Sequence, residues 1–148
     1  MRIILTGILA ALALAMLSTA RAESYQVASP QAAARTYLEN YKDMVLANCI
    51  ASAYRDAPKA ALDAGSSVSA LRDWTYYDLE KGPGAIKGLV DSYLARNYHN
   101  PLVEAEVKNV RFDLLKCLDL YHSEALDEQA RRLVINPGHS WRQDNRSP

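Results

Sequence analysis

The sequence predicts an all-α fold: a single small bundle of four to five helices closed by one disulfide. Three observations lead there. Apolar residues recur at helical spacing through most of residues 30–135. Proline and glycine interrupt that pattern at short intervals, as they do between packed helices. The two cysteines, Cys49 and Cys117, sit mid-pattern in two amphipathic segments, NYKDMVLANCIASAY (40–54) and FDLLKCLDLYHS (112–123).

What precedes those segments bears on the cysteines. Residues 1–22 read as a secretory signal peptide. Arg2 gives a short basic start, Ile3 to Leu17 is apolar apart from Thr6 and Gly7, and Ala20-Arg21-Ala22 sets small residues where a signal peptidase reads. The apolar run is short for a spanning helix, which needs about 20 residues. Cleavage after Ala22 is therefore expected, with an uncleaved anchor as the alternative. Cleavage would leave 126 of the 148 residues, enough for one domain with one core, and no membrane attachment. Export places the cysteines in an oxidising compartment, where two isolated thiols usually pair. With about 67 residues between them, the closed loop contributes roughly 4 kcal/mol in the chain-entropy model.

The elements follow in order. Ser29-Pro30 is expected to open the first helix, as N-cap and first-turn proline, and the helix should run to about Arg55. Leu38, Tyr41, Val45, Cys49 and Ser52 form its inner stripe, so Cys49 faces the core. Asp56-Ala57-Pro58 ends it and starts a second helix, with Leu62, Val68, Leu71, Thr75 and Leu79 in phase. Gly65-Ser66-Ser67 weakens this stretch and invites a kink or break. Lys81-Gly82-Pro83-Gly84 reads as a helix stop. Ile86, Leu89, Val90, Tyr93 and Leu94 make a third helix, ending near Asn97. Tyr98-His99-Asn100-Pro101 is a turn, because the residue before proline avoids helical geometry. Residues 98–111 alternate like a strand yet also fit a helix face, and are expected to be irregular or partly extended. A fourth helix carries Leu114, Leu115, Cys117, Leu118 and Tyr121. Ser123 caps a fifth, buried through Leu126, Ala130 and Leu133. Residues 23–135 thus form the helical domain, and 136–148 a loose tail.

Charge and chemistry narrow the function. Seventeen basic residues balance seventeen acidic ones, and loss of Arg2 and Arg21 with the leader makes the mature charge −2. Such a balance argues against nucleic acid as a partner. Both cysteines lie on apolar helix faces, which disfavours either as a nucleophile. His99 lies in a turn, His122 at a helix end and His139 in the tail, with no metal spacing among them. No glycine-rich phosphate loop is present. No catalytic residue, metal or cofactor is therefore expected. Asp73, Asp78 and Glu80 lie among Trp74, Tyr76 and Tyr77, an acidic-aromatic patch that a helix end explains equally well. Nine tyrosines against one phenylalanine suit either a thin core or an interaction surface.

Four segments carry a resemblance: NYKDMVLANCIASAY, ALRDWTYYDLE, GLVDSYLARNYHNPLVEAEVK and FDLLKCLDLYHSEALDEQARRLV. Together, over roughly residues 37–135, they resemble the immunity proteins of type VI secretion amidase effectors. The Cys49 segment, the Tyr98-His99-Asn100-Pro101 turn and Leu115-Lys116-Cys117-Leu118-Asp119 are the most specific pieces. The resemblance implies a periplasmic, helical homodimer. Its partner would be a peptidoglycan amidase with a papain-like cysteine nucleophile, injected by a neighbouring cell. The immunity protein would block that enzyme by placing a loop in its cleft. The connection from Tyr98 to Glu106 is the candidate loop. Pro101 restricts it, so less entropy is lost on docking. Leu102 and Val103 are apolar in a segment expected to be exposed. Tyr98, His99, Asn100, Leu102 and Glu104 are accordingly the expected partner-binding residues. A helical scaffold or interaction module of the periplasm, unrelated to toxins, is the alternative.

Overall fold

A computed structural model describes residues 29–146. The expected signal peptide lies outside the described residues. Among them are seven α-helices and a short 3-10 turn, with no strand: α1 Tyr37–Ala53, α2 Pro58–Asp73, α3 Gly82–Leu94, α4 Pro101–Glu106, α5 Asp113–Tyr121, α6 Glu124–Leu133 and α7 Trp141–Asp144. The five expected helices are present, joined by two short ones, α4 and α7. The expected disulfide is present too: Cys49 of α1 is bonded to Cys117 of α5, with Cα atoms 5.7 Å apart.

Helix α1 is the centre of the bundle, in contact with α2, α3, α5 and α6. It buries Tyr37, Asn40, Tyr41, Met44, Val45 and Cys49, two adjacent stripes rather than one. Its polar members are satisfied internally. Asn40 donates through Nδ2 to the carbonyls of Ala32 (2.7 Å) and Trp74 (3.0 Å). The Tyr41 hydroxyl accepts from Gln129 Nε2 at 3.0 Å. Tyr37, Tyr41, Tyr77 and Tyr93 are all buried, so much of the tyrosine surplus is core packing.

Three boundaries differ from the sequence reading. The first helix begins at Tyr37, not Pro30. Thr36 and Glu39 form a capping box: Thr36 Oγ1 accepts from the Glu39 amide, and Glu39 Oε2 accepts from the Thr36 amide at 2.8 Å. That reciprocal pair satisfies two donors and outcompetes Ser29-Pro30, which leads only into the 3-10 turn Gln31–Ala34. Helix α2 runs unbroken through Gly65, and it buries none of its residues fully. Ser66, Ser67 and Ser69 bond back to carbonyls four residues earlier, keeping their hydroxyls inside the helix's own network. Lys81-Gly82-Pro83-Gly84 starts α3 instead of stopping α2, with its proline in the first turn, where the missing N–H costs nothing. The stop comes earlier, at Trp74. Asp78 Oδ1 then accepts from the Glu80 and Lys81 amides and turns the chain. Gly82 is required by space: a Cβ there would lie 2.5 Å from the Tyr77 ring.

The described part of the tail also departs from expectation. Residues 136–146 fold back onto the start of α1. His139 O accepts from the Tyr37 amide (2.8 Å), and Pro137 O from the Leu38 amide (3.2 Å). Together with the capping box, these bonds satisfy the first four amides of α1, which have no acceptor within the helix. A second capping box, between Ser140 and Gln143, opens α7. Asp144 then accepts from the Tyr37 hydroxyl (2.9 Å) and pairs with His139 Nδ1 (2.9 Å). Polar residues and a glycine read as a tail, but here they are the acceptors that the helix start needs.

Candidate functional site

The connection between α3 and α5, residues 95–112, holds the candidate site. It is not irregular throughout: it contains the six-residue helix α4. Asn100 is its N-cap, with Oδ1 accepting from the Leu102 amide (3.2 Å) and the Val103 amide (3.3 Å). Pro101 follows in the first turn. Glu104 then reaches back, one carboxylate oxygen accepting from the Asn100 amide (3.0 Å) and the other pairing with His99 Nδ1 (2.6 Å). Asn-Pro with a glutamate in the first turn was the legible signal. The β-branched Val103 and Val107 argued against a helix and do end this one early, with Val107 already extended.

Of the five expected partner residues, His99, Asn100 and Glu104 come together in this one cap. Tyr98 turns the other way and donates its hydroxyl to Asp119 Oδ2 on α5. That bond is the main cause holding the phenol's pKa above its ordinary value. Leu102 joins the cap only through its backbone amide, and its side chain makes none of these bonds. At 83% exposure it is the most exposed large apolar side chain among the described residues. The arrangement is a short, internally braced hook that presents one leucine to solvent.

The sequence reading missed the surface beside the hook. Leu114, Leu115 and Leu118 of α5 are 47%, 46% and 39% exposed, while Lys116, Cys117 and Leu120 are buried. With Tyr54, Val110 and Phe112 these leucines line a shallow groove. A second groove, lined by Tyr98, His99, Asn100, Phe112 and Leu115, joins it to the hook. The only prior signal was that four leucines and a cysteine in FDLLKCLDLY cannot all face inward.

Elsewhere the geometry is structural. The acidic-aromatic patch resolves into the Asp78 turn and a groove lined by Tyr76, Tyr77, Leu79 and Ile135. Asp78 titrates below its ordinary value, mainly because the Lys81 amide donates to it. His122 packs edge-on against Tyr121 at the end of α5. Among the described residues, no three His, Cys, Asp or Glu side chains are grouped to hold a metal ion. No described helix is long and apolar enough to cross a membrane.

Comparison with known proteins bears on this arrangement. The family model Tai4, described as "Type VI secretion system (T6SS), amidase immunity protein", matches residues 39–130, which include both cysteines and the whole hook. No curated protein matches the chain. A solved structure described as "New Type VI-secreted toxins and self-resistance proteins in Serratia marcescens" is similar at 30% identity with a TM-score of 0.72. The match covers 82% of this chain and 95% of that one. With a helical bundle, a cystine between α1 and α5 and a family match across most of the bundle, the chain belongs to the type VI secretion amidase immunity proteins.

Proposed function

We propose that this protein binds a peptidoglycan amidase effector in the periplasm and inhibits it by placing the α4 hook, residues 98–106, in the active-site cleft. The observation that carries the reading is Leu102: a large apolar side chain, almost fully exposed, on a turn braced by Asn100, Glu104 and His99. Exposed apolar side chains on rigid supports act as interface anchors, because docking them freezes little additional motion. Tyr98 fixes the hook to α5, and the His99–Glu104 pair braces its start. Inhibition of this kind needs no catalytic group. The peptide substrate is excluded and the nucleophile covered, so the protein acts stoichiometrically. We further propose cleavage of the leader after Ala22 and assembly as a homodimer.

The test mixes the mature protein with a purified type VI amidase from the same genome and follows cleavage of peptidoglycan fragments. Loss of cleavage that is complete at one-to-one stoichiometry, with co-elution of the two proteins, is expected. A cognate pair that neither co-elutes nor loses activity would return the protein to the scaffold alternative. Sedimentation at micromolar concentration should give twice the chain mass, and a monomer throughout would remove the dimer from the proposal.

A further inference from the structure

The connection that carries the hook begins after Leu94 and ends before Asp113, and one side chain reaches both ends. Lys116 is only 5% exposed. Its Nζ donates to the Leu94 carbonyl at 3.2 Å, the last residue of α3, and to Asp113 Oδ1 at 3.0 Å, the first residue of α5. It also stands 6.0 Å from the centre of the Tyr98 ring, at the base of the hook. A buried ammonium is costly to desolvate even when paired, and an apolar side chain of similar volume is often as stable or more so. Stability of the bundle therefore does not account for a lysine here, between the buried Cys117 and the outward Leu115.

The backbone it anchors is strained. Asn109 and Phe112 adopt left-handed conformations, with φ of 60° and 56°. For a bulky aromatic residue that conformation is an outlier, and it persists only where neighbours over-determine it. Phe112 is followed directly by Asp113, whose carboxylate is held by Lys116 and, at 3.1 Å, by Arg111 Nε. The Phe112 carbonyl accepts from the Lys116 amide at 3.0 Å.

We infer that Lys116 is the positioning residue of the hook: its buried ammonium clamps the end of α3 to the start of α5, so that α4 and Leu102 are presented to the amidase in one geometry. This rests on the cleft-blocking reading above. The clamp lowers the order that docking must impose, because both ends of the connection are fixed before the partner arrives.

Hydrogen exchange on the free protein and inhibition of an amidase that the wild-type protein blocks test it together. Lys116→Met keeps the stem and removes the charge. Exchange across 97–112 should rise about tenfold or more, with α1 and α6 amides keeping their mutual ranking. Inhibition should weaken by about tenfold, mostly through slower association. Asp113→Asn is the second variant, should Lys116→Met not fold, and should loosen the same amides. Leu133→Ala, a core truncation beside the Tyr77–Val134 pairing at the other end of α3, is the control. It should lower melting while leaving exchange across 97–112 and inhibition at their wild-type ranking. Unchanged exchange across 97–112 in both charge variants overturns the clamp. Raised exchange with undiminished inhibition overturns its role in positioning. If the wild-type protein blocks no amidase, the functional reading fails, and the exchange data still decide whether the clamp exists.

Discussion

In α6 the leucines point into the bundle and the charges point out, whereas in the neighbouring α5 three leucines face solvent and a lysine is inside. Leu126, Ala130 and Leu133 of α6 are buried and Arg131 and Arg132 exposed. This is the arrangement that apolar periodicity predicts for a helix on one side of a core. Helix α5 instead buries Lys116, Cys117 and Leu120 and leaves Leu114, Leu115 and Leu118 partly in water. Two local constraints set its rotation. The cystine turns Cys117 toward α1, and the paired ammonium turns Lys116 toward the end of α3. With that face fixed, its outer leucines contribute little to folding. They line the groove that leads to the hook. The difference separates a helix whose apolar face is used up in packing from one that keeps part of its apolar face in water.

The sharpest way to break this contrast is to remove the cystine. Cys117→Ala should lower unfolding stability by about 4 kcal/mol, the loop-closure figure. Guanidinium unfolding of the variant against the wild type reads this directly. Equal midpoints would mean that α5 is held without the bond. Next in size, Leu126→Ala should cost about 3 kcal/mol through lost burial and a cavity. Leu115→Ala, one helix away and chemically identical, should stay within about 0.5 kcal/mol. Similar losses at both sites would show that the two helices are equivalent after all.

A smaller effect concerns the C-terminal segment and the start of α1. Asp144 is held below its ordinary carboxylate pKa, first by His139 and then by the Tyr37 hydroxyl. Glu39, in the capping box of the same helix end, is lowered mainly by the Thr36 amide. A lowered folded-state pKa stabilises the fold above the ordinary carboxylate range, and that contribution is lost as pH falls through the folded value. Melting temperature should therefore fall as acid protonates both groups, and Asp144→Asn should flatten part of that slope. A variant with an unaltered acid limb would show that the Tyr37–Asp144–His139 contact adds nothing to folding.

Much of the bundle was legible because its helices are locally consistent. Ser123 and the Leu126, Ala130, Leu133 spacing specify α6 without tertiary help. The expectation of export and the placement of both cysteines specified the cystine. What escaped depends on partners far away in sequence. The residues after Asn136 look like a tail until the amides of Tyr37 and Leu38 are seen to need their carbonyls. Gly82 reads as a cap until the Tyr77 ring is found against it. The turn before Pro101 was legible, but the short helix after it was hidden because Val103 and Val107 oppose helix formation while Asn100 and Glu104 enforce one turn of it. The outward turn of α5 follows from Lys116, a charge that periodicity assigns to the surface.

Chemical access to the amidase nucleophile tests the central claim most directly. A cognate amidase with a reactive active-site thiol is treated with an alkylating reagent, alone and with increasing immunity protein. The wild-type protein should protect the thiol fully at one-to-one stoichiometry. Leu102→Asp should melt like the wild type, since that side chain is exposed, yet protect about thirtyfold more weakly, the loss expected of one interface anchor. If Leu102→Asp protects the thiol as well as the wild type, or if the thiol stays reactive in a fully formed complex, the hook does not occupy the cleft.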